Sequence, residues 1–402
     1  MATTPSIALI PSGFNTSKIY SVLPENGDAD FSFPRSTVAN RINSDGLIEE
    51  MAINVPRLDY KNGFCPSLLL EPQSTNLITY PLSFDNAYWT KSNATVIGGF
   101  LAPSVDNPTS AYLMQLSNAG GNFYALAGGT GYYTFSVYAK YKDAQFIRLR
   151  STGSYAYFDI QNGIIGSEIG TTDTNIEALS NGWYRCSVTG NNTNSLVQIF
   201  VSNTNGSNTG TGGAYLFGAQ LEALPYATSI MIPTTEGSTV TRVAEIASKS
   251  GLDNYIGKTE GTMFIEVDFG ESTADSTLIR FSLNNGVSSD NWIFVANENG
   301  YNLRVFVRAN ASNSVDFRKN NVFTSSGNYK IAMSFKSNET KCYVNGVLEY
   351  NSSSGIIPNN LDSIGLGGSI TGNSVSNKSK IKEYKLYNTA LTDAELTTLT
   401  TK

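Results

Sequence analysis

Apolar and polar residues alternate with period two over much of this chain. Tyr133, Phe135, Val137 and Ala139 fall on one face, and Thr134, Ser136, Tyr138 and Lys140 on the other. That is the pattern of a half-buried β-strand. Phe146–Arg150 alternates likewise and sets Arg148 and Arg150 on one side. Tyr155–Ile160 runs into Asn162-Gly163, a dipeptide that tolerates the positive φ angles of a tight hairpin. Trp183–Thr189, Leu196–Ser202 and Ala214–Glu222 read as further strands. A second set opens where Met263, Ile265, Val267 and Phe269 alternate with Phe264, Glu266 and Asp268. Asn299-Gly300 parts Trp292–Asn297 from Tyr301–Arg308, and Asn345-Gly346 parts Lys341–Val344 from Val347–Tyr350. Tyr329–Lys336 alternates between these two hairpins. The one persuasive helix is the last. Thr392 caps it, Glu395 completes a capping box, and Leu391 and Leu396 occupy the positions of a hydrophobic staple.

These segments predict an all-β chain of two antiparallel β-sandwich (jelly-roll) domains in tandem, preceded by an extended N-terminal segment. Residues 1–80 show weak periodicity and turn signals at Pro11, Asn26-Gly27, Pro34, Asp45-Gly46, Pro56, Asn62-Gly63 and Pro66. They read as an attachment segment whose anchors are Leu58, Tyr60 and Leu68-Leu69-Leu70. Residues 81–235 form the first sandwich, 236–250 a Thr/Ser/Gly-containing linker, and 251–402 the second sandwich.

Composition narrows the chemistry. With no histidine, a Ser-His-Asp triad, a Cys-His dyad and an HExxH zinc site are excluded. Cys65, Cys186 and Cys342 are far apart and form no CxxC pair. Net charge is −6, which argues against a groove for nucleic-acid phosphates. No stretch reaches the ~20 apolar residues of a membrane span, so no membrane insertion is expected. The start, MATTPSIALIPSGF, lacks the basic and long apolar regions of a secretory signal. Charged residues are only 15%, against roughly 25% in ordinary soluble proteins. Asn, Ser, Thr, Gly and Tyr take their place, giving a wet, nearly neutral surface.

Cys342-Tyr-Val-Asn-Gly-Val-Leu, Ile364-Gly-Leu-Gly-Gly, Ile381–Asn388 and Leu391-Thr-Asp-Ala-Glu-Leu, in that order, resemble the end of laminin-G-like, concanavalin A-like lectin domains. Other stretches resemble bacteriophage tail- and head-fibre proteins: Ile19-Tyr-Ser-Val-Leu-Pro, Asp30-Phe-Ser-Phe-Pro-Arg, Arg41-Ile-Asn-Ser-Asp-Gly-Leu-Ile-Glu, Pro56-Arg-Leu-Asp-Tyr and Cys65-Pro-Ser-Leu-Leu-Leu-Glu-Pro-Gln. Gly182-Trp-Tyr-Arg, Phe217-Gly-Ala-Gln-Leu-Glu and Ala227-Thr-Ser-Ile-Met-Ile-Pro-Thr are similar to the carbohydrate-binding-module-like domains that accompany them. The resemblance implies a virion-surface fibre protein, assembled in the host cytoplasm. Its implied partners are host cell-surface polysaccharide, other virion proteins docked through residues 1–80, and two further copies in a homotrimer.

A sugar site needs flat aromatic faces and planar polar groups. Candidates are Tyr88, Trp89, Arg148, Arg150, Tyr155, Tyr157, Trp292, Tyr301, Arg304 and Arg308. Glu266-Val-Asp-Phe-Gly-Glu271 matches the E-x-D-x-x-E pattern of laminarinase-type retaining glycosidases, where Glu266 would be the nucleophile and Glu271 the acid/base. A plain first strand suits the same residues better, so no enzyme is expected. A bacterial polysaccharide-binding protein is the other alternative. No cofactor is expected. Loops such as Asp106-Asn-Pro and Asp290-Asn supply oxygen ligands that suit a structural calcium, and no residue is assigned to a metal.

Overall fold

The computed structural model describes residues 3–61, 65–269, 278–286, 290–298, 301–323, 327–353, 355–367 and 378–402, the side chains of 278–280 excepted. The expected Asn299-Gly300 and Asn62-Gly63 turns, Gly270 and Glu271 lie outside the described residues. Elsewhere the chain is antiparallel β-structure with one α-helix among the described residues, as the alternation predicted.

It divides into two compact units. Unit 1 combines Met1–Thr37, Met51–Gln73 and Val243–Lys402, and unit 2 combines Val38–Glu50 and Ser74–Arg242. The expected boundaries at 80 and 251 are therefore redrawn. Several parts of the N-terminal segment are strands of unit 1. Ile7–Leu9 pairs with the Leu386 end of Ser379–Tyr387, and Ser67–Leu70 pairs with its Ser379 end. Ile7, Leu9, Leu68 and Leu70 are core residues there, so their apolar surface is already buried within the fold. The expected linker also carries structure. Ala247–Lys249 is a strand paired with Ser363–Leu366, and Arg242 and Glu245 are fully buried.

In unit 1 an eight-stranded and a nine-stranded sheet share one apolar core. Glu260–Phe269 supplies Met263, Ile265, Val267 and Phe269 to it. Phe264, on the other face, is also buried, because the helix Asp393–Thr400 brings Leu391 and Leu396 against it. Thr392 and Glu395 form the expected capping box. Asn345 and Gly346 both have positive φ, 49° and 82°, the conformation a type I′ hairpin turn requires.

Unit 2 holds two six-stranded sheets. Phe135, Val137 and Ala139 of Gly131–Tyr141 enter the main core. The opposite face of this strand is covered too, since Tyr138 packs with Ile48, Trp183, Phe217 and Ile230. The period-two reading of residues 133–140 therefore located the strand but not its double burial.

Three motif residues that carried the fibre-protein resemblance, Arg35, Arg57 and Glu71, close unit 1 from within together with Glu245. Arg35, Arg57, Glu71 and Glu245 are fully buried and form ion pairs. Arg57 Nη1 donates to Glu71 at 2.9 Å, its Nε donates to Glu245 Oε1 at 2.8 Å, and its Nη2 also reaches Glu245. Arg35 Nη1 donates to Glu245 at 2.8 Å, and its remaining nitrogens donate to the carbonyls of Thr37, Met51 and Ala52. Burial alone would pull the Arg57 guanidinium down, but Glu245 and Glu71 outweigh it and hold the group above its ordinary range.

Removing one member of such a cluster strands an unpaired charge. Glu245→Ala is expected to cost about 3–5 kcal/mol, read from chemical denaturation. Deleting residues 1–73 should abolish the cooperative transition of unit 1 by removing strands from both of its sheets and three cluster members. A truncated chain with the full-length transition would contradict this placement.

Candidate functional site

The outer face of one unit 2 sheet gathers four of the expected residues. Its strands run in the order Thr90–Ser92, Asn122–Leu126, Leu196–Ser202, Phe146–Ser151, Ser154–Asp159, Ile164–Ile169. Phe123, Ala125, Val197, Ile199, Val201, Ile147, Leu149, Ala156 and Phe158 point into the core. The alternate residues form two rows across the strands. One row is Asn122, Phe200, Arg148, Tyr157. The next is Tyr124, Gln198, Arg150, Tyr155, Ile169.

Phe200, Arg148 and Tyr157 of the first row form a buried floor. Arg148 is 7% exposed, and its guanidinium lies 3.6 Å from the Phe200 ring centroid, 4.9 Å from Tyr155 and 5.8 Å from Tyr157. A desolvated cation over aromatic rings gains on the order of 2 kcal/mol, which offsets part of the cost of burying it. Burial pulls Arg148 below its ordinary range, Tyr157 counteracts this, and Arg150 adds to it. The Arg148 Nε has no hydrogen-bond partner. Tyr157 is itself fixed, donating its hydroxyl to Asn208 Oδ1 at 2.7 Å.

Tyr124, Gln198, Arg150 and Tyr155 of the second row are half-buried and open to solvent, and Ile169 at its end is exposed. Arg150 donates from Nε to the Thr152 carbonyl and from Nη1 to Gln198 Oε1 at 3.0 Å. Tyr155 stands edge-on to Tyr157, with ring centroids 6.3 Å apart at 79°. At the end of the face, Asp159 accepts hydrogen bonds from Gln145, Gln161 and Asn162. Burial raises its pKa, but those donors win and hold the carboxyl below its usual value. The row therefore offers an aromatic ring, a guanidinium and a carboxamide side by side, all held in place.

The other expected residues fare differently. Trp89 is 0% exposed, donates to the Tyr80 carbonyl at 2.9 Å and belongs to the unit 2 core. It has no face for a sugar, which corrects the expectation. Tyr88 is half-buried against Tyr80 and Trp89. In unit 1, Trp292 and Arg308 are cross-strand neighbours. Arg304 lies over Phe294 and Phe306 but is taken up by Glu298 and Asp316, which also hold Arg318. Tyr301 packs on the core side, away from these residues.

Glu266 and Asp268 share the face expected of them, and Glu266 accepts from Asn328 Nδ2 at 2.9 Å. Among the described residues, no group of three or more His, Cys, Asp or Glu could hold a metal. Phe200, Gln198, Tyr124 and Asn208 escaped the sequence reading. The alternation of Leu196–Ser202 places Gln198 and Phe200 opposite Val197, Ile199 and Val201, and that was the available signal.

Core and platform aromatics should separate on substitution. Trp89→Ala is expected to destabilise unit 2 by about 3–5 kcal/mol, whereas Tyr155→Ala should change stability by less than about 1 kcal/mol. Thermal or urea unfolding measures both.

Comparison with known proteins gives likenesses over parts of the chain. The Ruminococcus gnavus IT-sialidase CBM40 aligns at a TM-score of 0.31 with 17% identity, covering 36% of this chain and 84% of that one. The NanB sialidase from Streptococcus pneumoniae aligns at 0.33 with 17% identity, covering 38% of this chain and 26% of that one. The leech intramolecular trans-sialidase aligns at 0.31 with 18% identity, covering 36% and 23%. No curated protein matches the chain in sequence. Residues 252–397, the C-terminal strands and helix of unit 1, match the family described as the concanavalin A-like lectin/glucanases superfamily.

Proposed function

We propose that this chain is a non-enzymatic carbohydrate-binding protein and that the outer face built on Tyr155, Arg150, Gln198 and Tyr124 is its glycan platform. The observation that carries this is the open second row. A saccharide presents C–H faces and pairs of hydroxyls. An aromatic ring stacks on the first, and planar amide or guanidinium groups take the second in pairs. Here the groups are adjacent on rigid strands, and the buried Arg148–Phe200–Tyr157 floor fixes their height. The lectin-family match over residues 252–397 agrees with a sugar-handling role and leaves the glycan open.

The finer reading is a virion fibre protein that presents this platform to a host surface. Its support is the resemblance of the Asp30–Arg35, Pro56–Tyr60 and Cys65–Gln73 motifs. The fold changes one part of that reading. Attachment to other virion proteins cannot use residues 1–80 as a free segment, because much of it belongs to unit 1. Any homotrimer contact would therefore use surfaces of folded units.

Glycan-array binding by the full chain is the test. Tyr155→Ala is expected to weaken retention on its best glycan about tenfold or more, with the unfolding transition unchanged. Wild-type binding by this variant would remove the platform from the reading. A reducing-sugar assay on the bound glycan should show no release. Release that Glu266→Gln abolishes would install the glycosidase alternative.

A further inference from the structure

We infer that the unit 2 platform takes a carboxylate-bearing saccharide, an acidic rather than a neutral glycan. The inference rests on the proposed glycan-binding role and specifies its ligand class.

Its basis is an uncompensated pair of cations. The chain as a whole is acidic, at −6, and its arginines commonly find acids. Arg35 and Arg57 pair with Glu71 and Glu245, Arg41 with Glu49, and Arg304 and Arg318 with Glu298 and Asp316. Arg148 and Arg150 are exceptions. They sit two residues apart on one strand, on the same face. Neither makes an ion pair among the described residues, and the hydrogen-bond partners of Arg150 are the neutral Thr152 carbonyl and Gln198 amide. The charged neighbour that bears on Arg148 is Arg150 itself, beside Tyr157 and Tyr155. Asp159, two residues beyond Tyr157 on the same strand, is spent on Gln145, Gln161 and Asn162.

A second observation points outward. Arg148 is more than nine-tenths buried, with an unpartnered Nε. Keeping a guanidinium charged in such a place without a counter-ion costs free energy. An arriving carboxylate would supply the missing charge. Arg150 makes no hydrogen bond through Nη2 and can donate to it, with Arg148 beneath adding attraction at short range. Tyr155 then packs the ring of the same sugar, and Gln198 receives a hydroxyl. Arg150 is thus the residue that contacts the carboxylate, and Arg148 the one that sets the local potential.

The experiment measures binding of the full-length chain to oligogalacturonate, oligomannuronate and a glucuronate-containing oligosaccharide, each beside its carboxyl-reduced neutral form. At least one acid form is expected to bind about tenfold or more tightly than its reduced form. Raising salt from about 0.05 to about 0.5 M should erode that preference. Arg150→Gln should bring the acid form down to the level of the neutral one, and Arg150→Lys should keep part of the preference. Both variants are checked for an unchanged unfolding transition. Equal binding of acid and reduced forms, or a preference that survives Arg150→Gln, overturns the inference and leaves the glycan-binding reading standing. Binding to neutral glycans on an array with none to any acid member does the same. A chain that binds no glycan at all overturns the reading beneath it.

Discussion

Four charged side chains sealed inside unit 1, Arg35, Arg57, Glu71 and Glu245, set the terms on which this chain can fold. Taking four charges out of water costs several kcal/mol each, and only close, well-aligned partners offset it. Arg57 meets the requirement with three of its nitrogens, and Arg35 with one carboxylate and three carbonyls. The partners come from stretches that the whole of Ser74–Arg242 separates in sequence. Glu71 and Glu245 are also tied through the main chain, since Glu245 N–H donates to the Glu71 carbonyl at 3.1 Å and Glu71 N–H donates to Glu245 Oε2 at 3.1 Å. The cluster therefore fixes where the chain of unit 1 pauses and where it resumes. An apolar cluster would tolerate slippage there. A set of directional ion pairs does not, because any shift leaves a buried charge alone.

The same logic, applied locally, explains which expectations held. The strands around 133–140 and 263–269, the Asn345-Gly346 turn and the Thr392 capping box depend on neighbours within a few residues, and periodicity and turn chemistry report such neighbours directly. The pairing of Ile7–Leu9 with Ser379–Tyr387 is not of this kind. Nothing in Ile7-Ala8-Leu9 states that its partner lies at the opposite end of the chain. A turn-rich segment with short apolar anchors looks the same whether those anchors meet a partner protein or the chain's own last strands. Pro56-Arg57-Leu58-Asp59-Tyr60 was visible as a motif, but its physical meaning required Glu245, inside what read as a linker.

The candidate site was legible to the same extent. Alternation put Arg148 with Arg150 and Tyr155 with Tyr157, and hairpin pairing joined the two sets. Sequence could not assign the inner face of a strand, so Trp89 looked as available as Tyr155. Nor could it place Leu196–Ser202 between Asn122–Leu126 and Phe146–Ser151, and that placement brings Phe200 under Arg148 and Gln198 beside Arg150.

Unit 1 and unit 2 carry the same ingredients to different ends. Each has an arginine above two aromatic rings on an outer sheet face: Arg304 over Phe294 and Phe306, Arg148 over Phe200 and Tyr155. In unit 1 the neighbouring strand positions are Glu298, Asp316 and Arg318, so the charges cancel and the hydrogen-bonding capacity is used. In unit 2 the corresponding neighbours are Gln198, Tyr157 and a second arginine. Stacking alone therefore does not distinguish a packing motif from a binding face. What distinguishes them is whether the cation has been neutralised within the fold. Arg304 has, and its rings are sealed beneath it. Arg148 and Arg150 have not, and they stand beside a half-buried tyrosine and the carboxamide that Arg150 holds, which is the arrangement the proposed platform requires.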